Sequence, residues 1–122
     1  MSLFSGSQVI ELTPKNFIGD KIVHPKLTGN TKGLIFFGAS WCGYSKKSAP
    51  EYIKASNMLG KAFPLFSLDC VKYSELAGKL QVKSYPTIKF INKNGTIGKN
   101  YTSDRESMAF LAGVCKESLV CK

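Results

Sequence analysis

The chain has 122 residues, 43% of them apolar and 20% charged, which is enough to bury one core and too little for two domains. Seventeen Lys and Arg against eight Asp and Glu leave a net charge of +9, yet the lysines are scattered and the longest basic run is Lys46-Lys47, so no nucleic-acid surface is expected. No stretch approaches the roughly 18 consecutive apolar residues of a membrane span, and no membrane contact is expected.

In chain order, residues 1–7 lack a charged and then apolar leader pattern and read as a polar leader or an expression-derived tail, with one domain over residues 8–122. Gln8 to Leu12 reads as a short strand. Thr13-Pro14 looks like an N-cap with proline at the first helical position, opening a brief helix through Phe17-Ile18. Residues 19–33 are irregular. Leu34 to Ala39 is continuously apolar, as a central strand covered on both faces should be. From Cys42 to about Leu59 the pattern is helical, with Gly60 at its end and Pro50 inside it, where a kink or interruption is expected.

Leu65 to Leu68 is another apolar strand, and Tyr73 to Leu80 a short helix. Thr87 to Ile91 and Thr96 to Tyr101 flank Asn94-Gly95, a strong hairpin signal. Asp104 is placed to cap a last helix in which Met108, Leu111, Ala112, Cys115 and Leu119 recur at helical spacing. This alternation predicts an α/β domain with a mixed sheet, helices on both faces, the parallel part first and a hairpin edge last.

The segment Ser40-Trp41-Cys42-Gly43-Tyr44-Ser45 lies between the central strand and the long helix. With cysteine at position 45 it would be a Cys-x-x-Cys redox site; as written it keeps the attacking thiol and lacks the resolving one. Cys42 belongs to the first turn of a helix, whose free N–H groups and positive dipole end favour a thiolate. Such a thiolate attacks a disulfide and forms a mixed disulfide, which the hydroxyl of Ser45 cannot resolve. The other cysteines, Cys70, Cys115 and Cys121, show no spacing of a disulfide framework or zinc site, so no metal or other cofactor is expected. Cys70 reads as a buried free thiol. Cys115 and Cys121 are six apart, about 600° of helical rotation, and are not expected to pair within an intact helix; Cys121 is available for an intermolecular bond. His24, beside Pro25, reads as ordinary surface.

These residues resemble the thioredoxin superfamily, specifically a single domain of the protein disulfide isomerase kind, from Val9 to about Leu119. Trp41-Cys42-Gly43 matches the active-site turn, and Pro50 the proline eight residues beyond the cysteine. Tyr85-Pro86-Thr87 resembles the cis-proline loop. Tyr101-Thr102-Ser103 with Arg105 is similar to the segment entering the last helix, and Asp69-Cys70 to a pair ending the third strand. The resemblance implies a thioredoxin-like fold and thiol–disulfide exchange on cysteine-containing protein or peptide clients by a monomer. Cys42 would be the nucleophile, Ser45 would stand at the resolving position and Arg105 would modulate ionisation. Trp41, Gly43, Tyr44, Tyr85 and Pro86 would meet the client.

Two departures from the family bear on the chemistry. Phe36 stands where a buried acid assists the resolving cysteine, and Tyr44 where isomerases carry histidine. Ser45 is therefore a natural residue of a single-thiol protein, an engineered trap for mixed disulfides, or part of a vestigial site. Other readings are a redox-inactive peptide-binding module and a monothiol glutaredoxin, since Cys-Gly-Tyr-Ser resembles that family's Cys-Gly-Phe-Ser. Trp41 and the Tyr-Pro-Thr loop argue against the last. With no signal peptide or retention signal visible, the chain as it stands reads as cytoplasmic, or as lumenal in the endoplasmic reticulum if a targeting segment has been removed.

Overall fold

The computed structural model describes residues 2–121. Its centre is strand β4 (Gly33–Gly38), all six residues of which are buried. The other strands of the sheet are β1 (Ile10–Glu11), β5 (Leu65–Asp69), β6 (Thr87–Ile91) and β7 (Ile97–Asn100), in the order β1-β5-β4-β6-β7. β1, β5 and β4 run parallel, and β6 and β7 follow antiparallel, as the sequence predicts. Ile35 sits opposite Phe66 on one side of β4 and Lys89 on the other.

Because side chains alternate along a strand, β4 feeds two cores. Leu34 and Phe36 enter a layer with Tyr52, Ala55, Leu59, Phe110 and Val114, under helices α1 (Gly43–Leu59) and α3 (Ser107–Ser118). Ile35 and Phe37 enter the opposite layer with Phe66, Leu68, Ala77 and Ile91, under the short helix α2 (Ser74–Lys79). The fully buried Tyr52 donates its phenol to the Phe66 carbonyl at 2.8 Å, which satisfies the one polar atom it carries into the core. Phe4 packs edge-on against Phe36 with centroids 5.0 Å apart, so the segment before residue 8 is docked on the first layer. None of the described helices is long and apolar enough to cross a membrane.

The structure departs from expectation at its two ends. Thr13-Pro14 opens only a single 3-10 turn (Pro14–Asn16), because Asn16 turns back to accept the Thr13 N–H at 3.1 Å. Phe17–Ile18 is then strand β2, which pairs antiparallel with β3 (Lys21–Ile22) inside the stretch read as irregular. That hairpin docks on the other: Ile22 N–H donates to the Gly95 carbonyl at 2.8 Å and Ile97 N–H to the Asp20 carbonyl at 2.9 Å. Gly95 is required there, since it has φ +87° and a Cβ would lie 2.5 Å from the Ile22 carbonyl oxygen.

Pro50 does not interrupt α1; it removes one donor from the ladder, and the helical conformation continues through it. Asp104 does not cap the last helix. α3 begins at Ser107, whose N–H is accepted by Glu51 of α1 at 2.9 Å, so a cap read as local is supplied across the fold. The buried stripe of α3 is Phe110, Leu111 and Val114, whereas Met108 and Leu119 are 66% and 86% exposed.

Cys115 and Cys121 are joined by a disulfide with their Cα atoms 4.5 Å apart. The helical argument against pairing fails because α3 stops at Ser118. Leu119 takes a left-handed conformation (φ +63°) that folds the next residues back toward Cys115. With Cys121 so engaged, it does not offer the free thiol expected for an intermolecular bond.

Candidate functional site

β4 ends at Gly38, and the chain turns through Ala39, Ser40 and Trp41 before α1. Cys42 closes the turn by donating its N–H to the Ala39 carbonyl at 3.0 Å, and it stands as the N-cap of α1 in extended conformation (φ −86°, ψ 123°). The thiol therefore sits over N–H groups that have no partner inside the helix. Donation from the Ser45 backbone N–H is the main influence lowering the Cys42 pKa from its ordinary value. Burial opposes it as the next largest influence, and the Tyr44 N–H, the Ser45 hydroxyl and the positive charge of Arg105 each add a smaller lowering.

Ser45 is completely buried, and its Oγ accepts the Ala39 N–H at 3.2 Å. That bond fixes the oxygen beneath the turn and leaves the hydroxyl proton for Cys42. Opposite the thiol, Tyr85–Pro86 is a cis peptide, and the Cys42 Sγ lies 3.5 Å from the Tyr85 carbonyl oxygen. Trp41 stands edge-on to the Tyr85 ring, with centroids 6.0 Å apart and planes at 90°. Trp41 and Tyr44 are 67% and 69% exposed, an apolar rim held in solvent beside the Cys42 thiol. Gly43 begins α1 in the open, and a Cβ built there meets nothing within 4 Å.

Arg105 lies on the exposed segment before α3 and lines, with Tyr44, Lys47, Ser48, Glu51 and Asp104, a cleft of about 370 Å³ next to the thiol. The fold thus brings together Trp41, Cys42, Gly43, Tyr44, Ser45, Tyr85, Pro86 and Arg105, which come from three separate parts of the sequence. Cys70 is a free, buried thiol, as expected. Burial, then the Asp69 carboxylate, push its pKa up to about 12, so at neutral pH it is protonated. His24 is half-buried rather than plain surface: its ring meets Phe66 edge-on at 5.4 Å, and burial lowers its pKa. Among the described residues no group of three or more His, Cys, Asp or Glu is arranged to hold a metal ion.

Glu51 lines the cleft and ties α1 to the start of α3, a role sequence reading missed because its partner is 56 positions away. Phe36, in the position discussed for a buried acid, lies among Phe4 and Tyr52 with no exposure. No titratable group stands there.

A family model described as Thioredoxin matches residues 8–116. Protein disulfide isomerase-like 2-2 of Oryza sativa subsp. japonica is 39% identical over 102 residues, 82% of this chain and 26% of that protein. A putative protein disulfide-isomerase of Dictyostelium discoideum is 37% identical over 93 residues, 76% of this chain and 22% of its own length. Among solved structures, the Trx4 domain of ERdj5 superposes with a TM-score of 0.73 at 25% identity, covering 91% of this chain and 96% of that domain. The chain spans about a quarter of the length of the curated relatives it matches.

Proposed function

The chain belongs to the thioredoxin family, and from that premise we propose that it exchanges thiols and disulfides on protein clients in the manner of a protein disulfide isomerase domain, with Cys42 as its single nucleophile. The observation that carries this reading is the Cys42 thiol, made more acidic at a helix N-terminus and facing the carbonyl before a cis-proline. In the first step the Cys42 thiolate attacks one sulfur of a client disulfide. The new bond joins Cys42 to the client, and the other client sulfur leaves as a thiolate and takes up a proton.

Ser45 cannot attack this adduct, and the buried, protonated Cys70 does not replace it. Release falls to a thiolate of the client itself, which attacks the client sulfur of the mixed disulfide and expels Cys42. When that thiolate comes from a third client cysteine, no electrons are gained or lost and the net change is isomerisation. Attack by the thiolate released in the first step only reverses that step, and a strained disulfide without a third cysteine, which recloses unfavourably, is held as the adduct. The lowered pKa serves both steps, since it raises the thiolate fraction at a given pH and makes Cys42 the better leaving group. Arg105 and the Ser45 hydroxyl act as the thiolate-stabilising groups. Trp41, Gly43, Tyr44, Tyr85 and Pro86 act as the client platform, where an extended peptide pairs with the Tyr85 backbone by strand addition.

The test is to incubate the protein with a peptide containing one strained disulfide and to quench with acid. Wild type accumulates a Cys42 adduct, Cys42→Ala forms none, and Ser45→Cys makes the adduct transient. Reaction no faster than that of free cysteine would sink the exchange reading in favour of a redox-inactive peptide-binding module.

A further inference from the structure

The periodicity of the last helix runs through Leu119, while the folded chain breaks it one residue earlier. The break is costly where it falls. Leu119 has φ +63°, a region that a residue with a Cβ enters at a penalty and that glycine or asparagine usually fills at a helix end. Nothing packs Leu119 in place, for it is 86% exposed. Its N–H donates to the Cys115 carbonyl at 2.9 Å, a contact that a continuing helix would supply equally well, as the ordinary bond from residue 119 to 115. What the left-handed residue achieves is to turn the chain so that Cys121 reaches Cys115 and the half-buried Val120 touches the α1/α3 core. The disulfide and the unbroken helix are therefore alternatives: six helical residues separate the two sulfurs by about 600° of rotation, and pairing them demands the break.

The location is equally informative. α3 is twelve residues, about 18 Å, long. Its first residue is bonded to Glu51 beside the Cys42 cleft, and its last turn lies beside Phe63, Phe90 and Lys99 at the other end of the domain. Cys42 cannot reach this bond within one molecule. Cys121 is exposed and Cys115 half-buried, so an incoming thiol meets the Cys121 sulfur. The loop that the bond closes is short, and a short loop restricts the unfolded chain less than a long one, so the bond contributes less as a staple than one joining distant parts of the chain.

We propose that Cys115–Cys121 is a second thiol–disulfide exchange site, independent of Cys42 and open to small thiols of the glutathione class, and that its redox state switches the end of α3 between a broken and a continuous helix. In the opening step a small thiolate attacks the Cys121 sulfur. The Cys115–Cys121 bond breaks, Cys115 leaves as a thiolate and is protonated, and Cys121 carries the small thiol. A second small thiolate then attacks that thiol's sulfur and frees Cys121. Two small thiols are oxidised to their disulfide, and the protein pair takes up two electrons and two protons. Freed of the bond, residues 119–121 continue α3 with Leu119 in right-handed conformation. Disulfides of the small-thiol pool reverse the change.

The test equilibrates the full-length protein, and its Cys42→Ala variant, in buffers of stepped reduced-to-oxidised glutathione ratio. Free thiols are trapped by rapid alkylation and located by mass spectrometry, with intrinsic fluorescence confirming the folded state. Cys115 and Cys121 are expected to become alkylated together, in the folded protein and at the same ratio in both proteins. Amide exchange at residues 120 and 121 slows on reduction as the new turn forms, while Leu119, already bonded to the Cys115 carbonyl, changes little. Leu119→Gly removes the penalty of the broken form and weakens the continuous helix, so it shifts the half-reduction ratio toward the disulfide by at least about fivefold, whereas Leu119→Ala does not. The exposed position of Leu119 makes both variants foldable. A bond that stays closed until the whole domain unfolds would overturn the proposal. So would an unmoved Leu119→Gly midpoint, amide exchange that does not slow on reduction, or a pair that yields only interchain dimers.

Discussion

Two free thiols, Cys42 and Cys70, are pushed in opposite directions by their surroundings. Cys42 lies over unpaired N–H groups at a helix start, which stabilise its anion; Cys70 lies in an apolar layer beside Asp69, which disfavours it. Alkylation of Cys42 should therefore persist to lower pH than that of a free cysteine, while Cys70 stays unmodified in the folded protein. Ser45→Ala removes the hydroxyl donor and leaves the Ala39 N–H without its buried acceptor. It is expected to move the pH midpoint of Cys42 thiolate absorbance upward. Arg105→Gln should move it the same way by less, since the charge acts less strongly on Cys42 than the Ser45 hydrogen bonds do. An unchanged midpoint in Ser45→Ala would remove the hydroxyl from the thiolate-stabilising set.

At the scale of elements, the site depends on how β4 and α1 are joined and how α3 is held beside them. The strand was legible because six successive buried positions need an unbroken apolar run, and α1 because cysteine, glycine and a helical pattern follow each other directly. The start of α3 was not, because its cap is the carboxylate of Glu51 on another helix. The Ser107 N–H, then Lys54, hold that carboxyl below its ordinary range. A carboxyl with a depressed folded pKa stabilises the fold above its unfolded pKa and loses that effect as pH falls through the folded one. Glu51→Ala should thus lower Tm at neutral pH by about 4 °C, with the two melting curves converging in acid. The N-terminal segment offers a second check. Phe4 is 3% exposed against Phe36 and Tyr52, and Phe4→Ala should cost about 3 kcal/mol in denaturant unfolding, far more than a residue in a loose tail.

For the molecule as a whole, buried core groups set the alkaline limit, among them Cys70, Tyr101 and the fully buried Tyr52, whose phenol is pushed by burial well above its ordinary range. The pKa values of Cys70 and Tyr101 are both raised to about 12, chiefly by burial. Groups with raised folded pKa values keep their stabilising contribution below the unfolded value and lose it as pH rises, because the unfolded chain releases its protons first. For Cys70, whose ordinary value is 9.0, the window opens near pH 9 and closes near 12, with a slope of about 1.4 kcal/mol per pH unit. Cys70→Ala should flatten the decline of unfolding free energy above pH 9; an equal slope in both proteins would count against the buried, protonated thiol.

The sequence by itself determined the order of elements from the central strand onward and the place of the Cys42 turn, because apolar runs, turn residues and the Trp41-Cys42-Gly43 turn are local signals read within a few positions. Its N-terminal helix was wrong for a local reason too: Thr13, Pro14 and Asn16 satisfy one another in a single turn, and the chain then gains more by pairing Phe17–Ile18 with Lys21–Ile22. Only the tertiary structure decided that Tyr85 and Arg105 stand over Cys42, that Glu51 caps α3, that Phe4 seals the layer around Phe36, and that Cys115 meets Cys121. Each of these joins groups through a turn or across the core, where what matters is which surfaces are left facing each other once the chain has folded, and no spacing along the sequence records that.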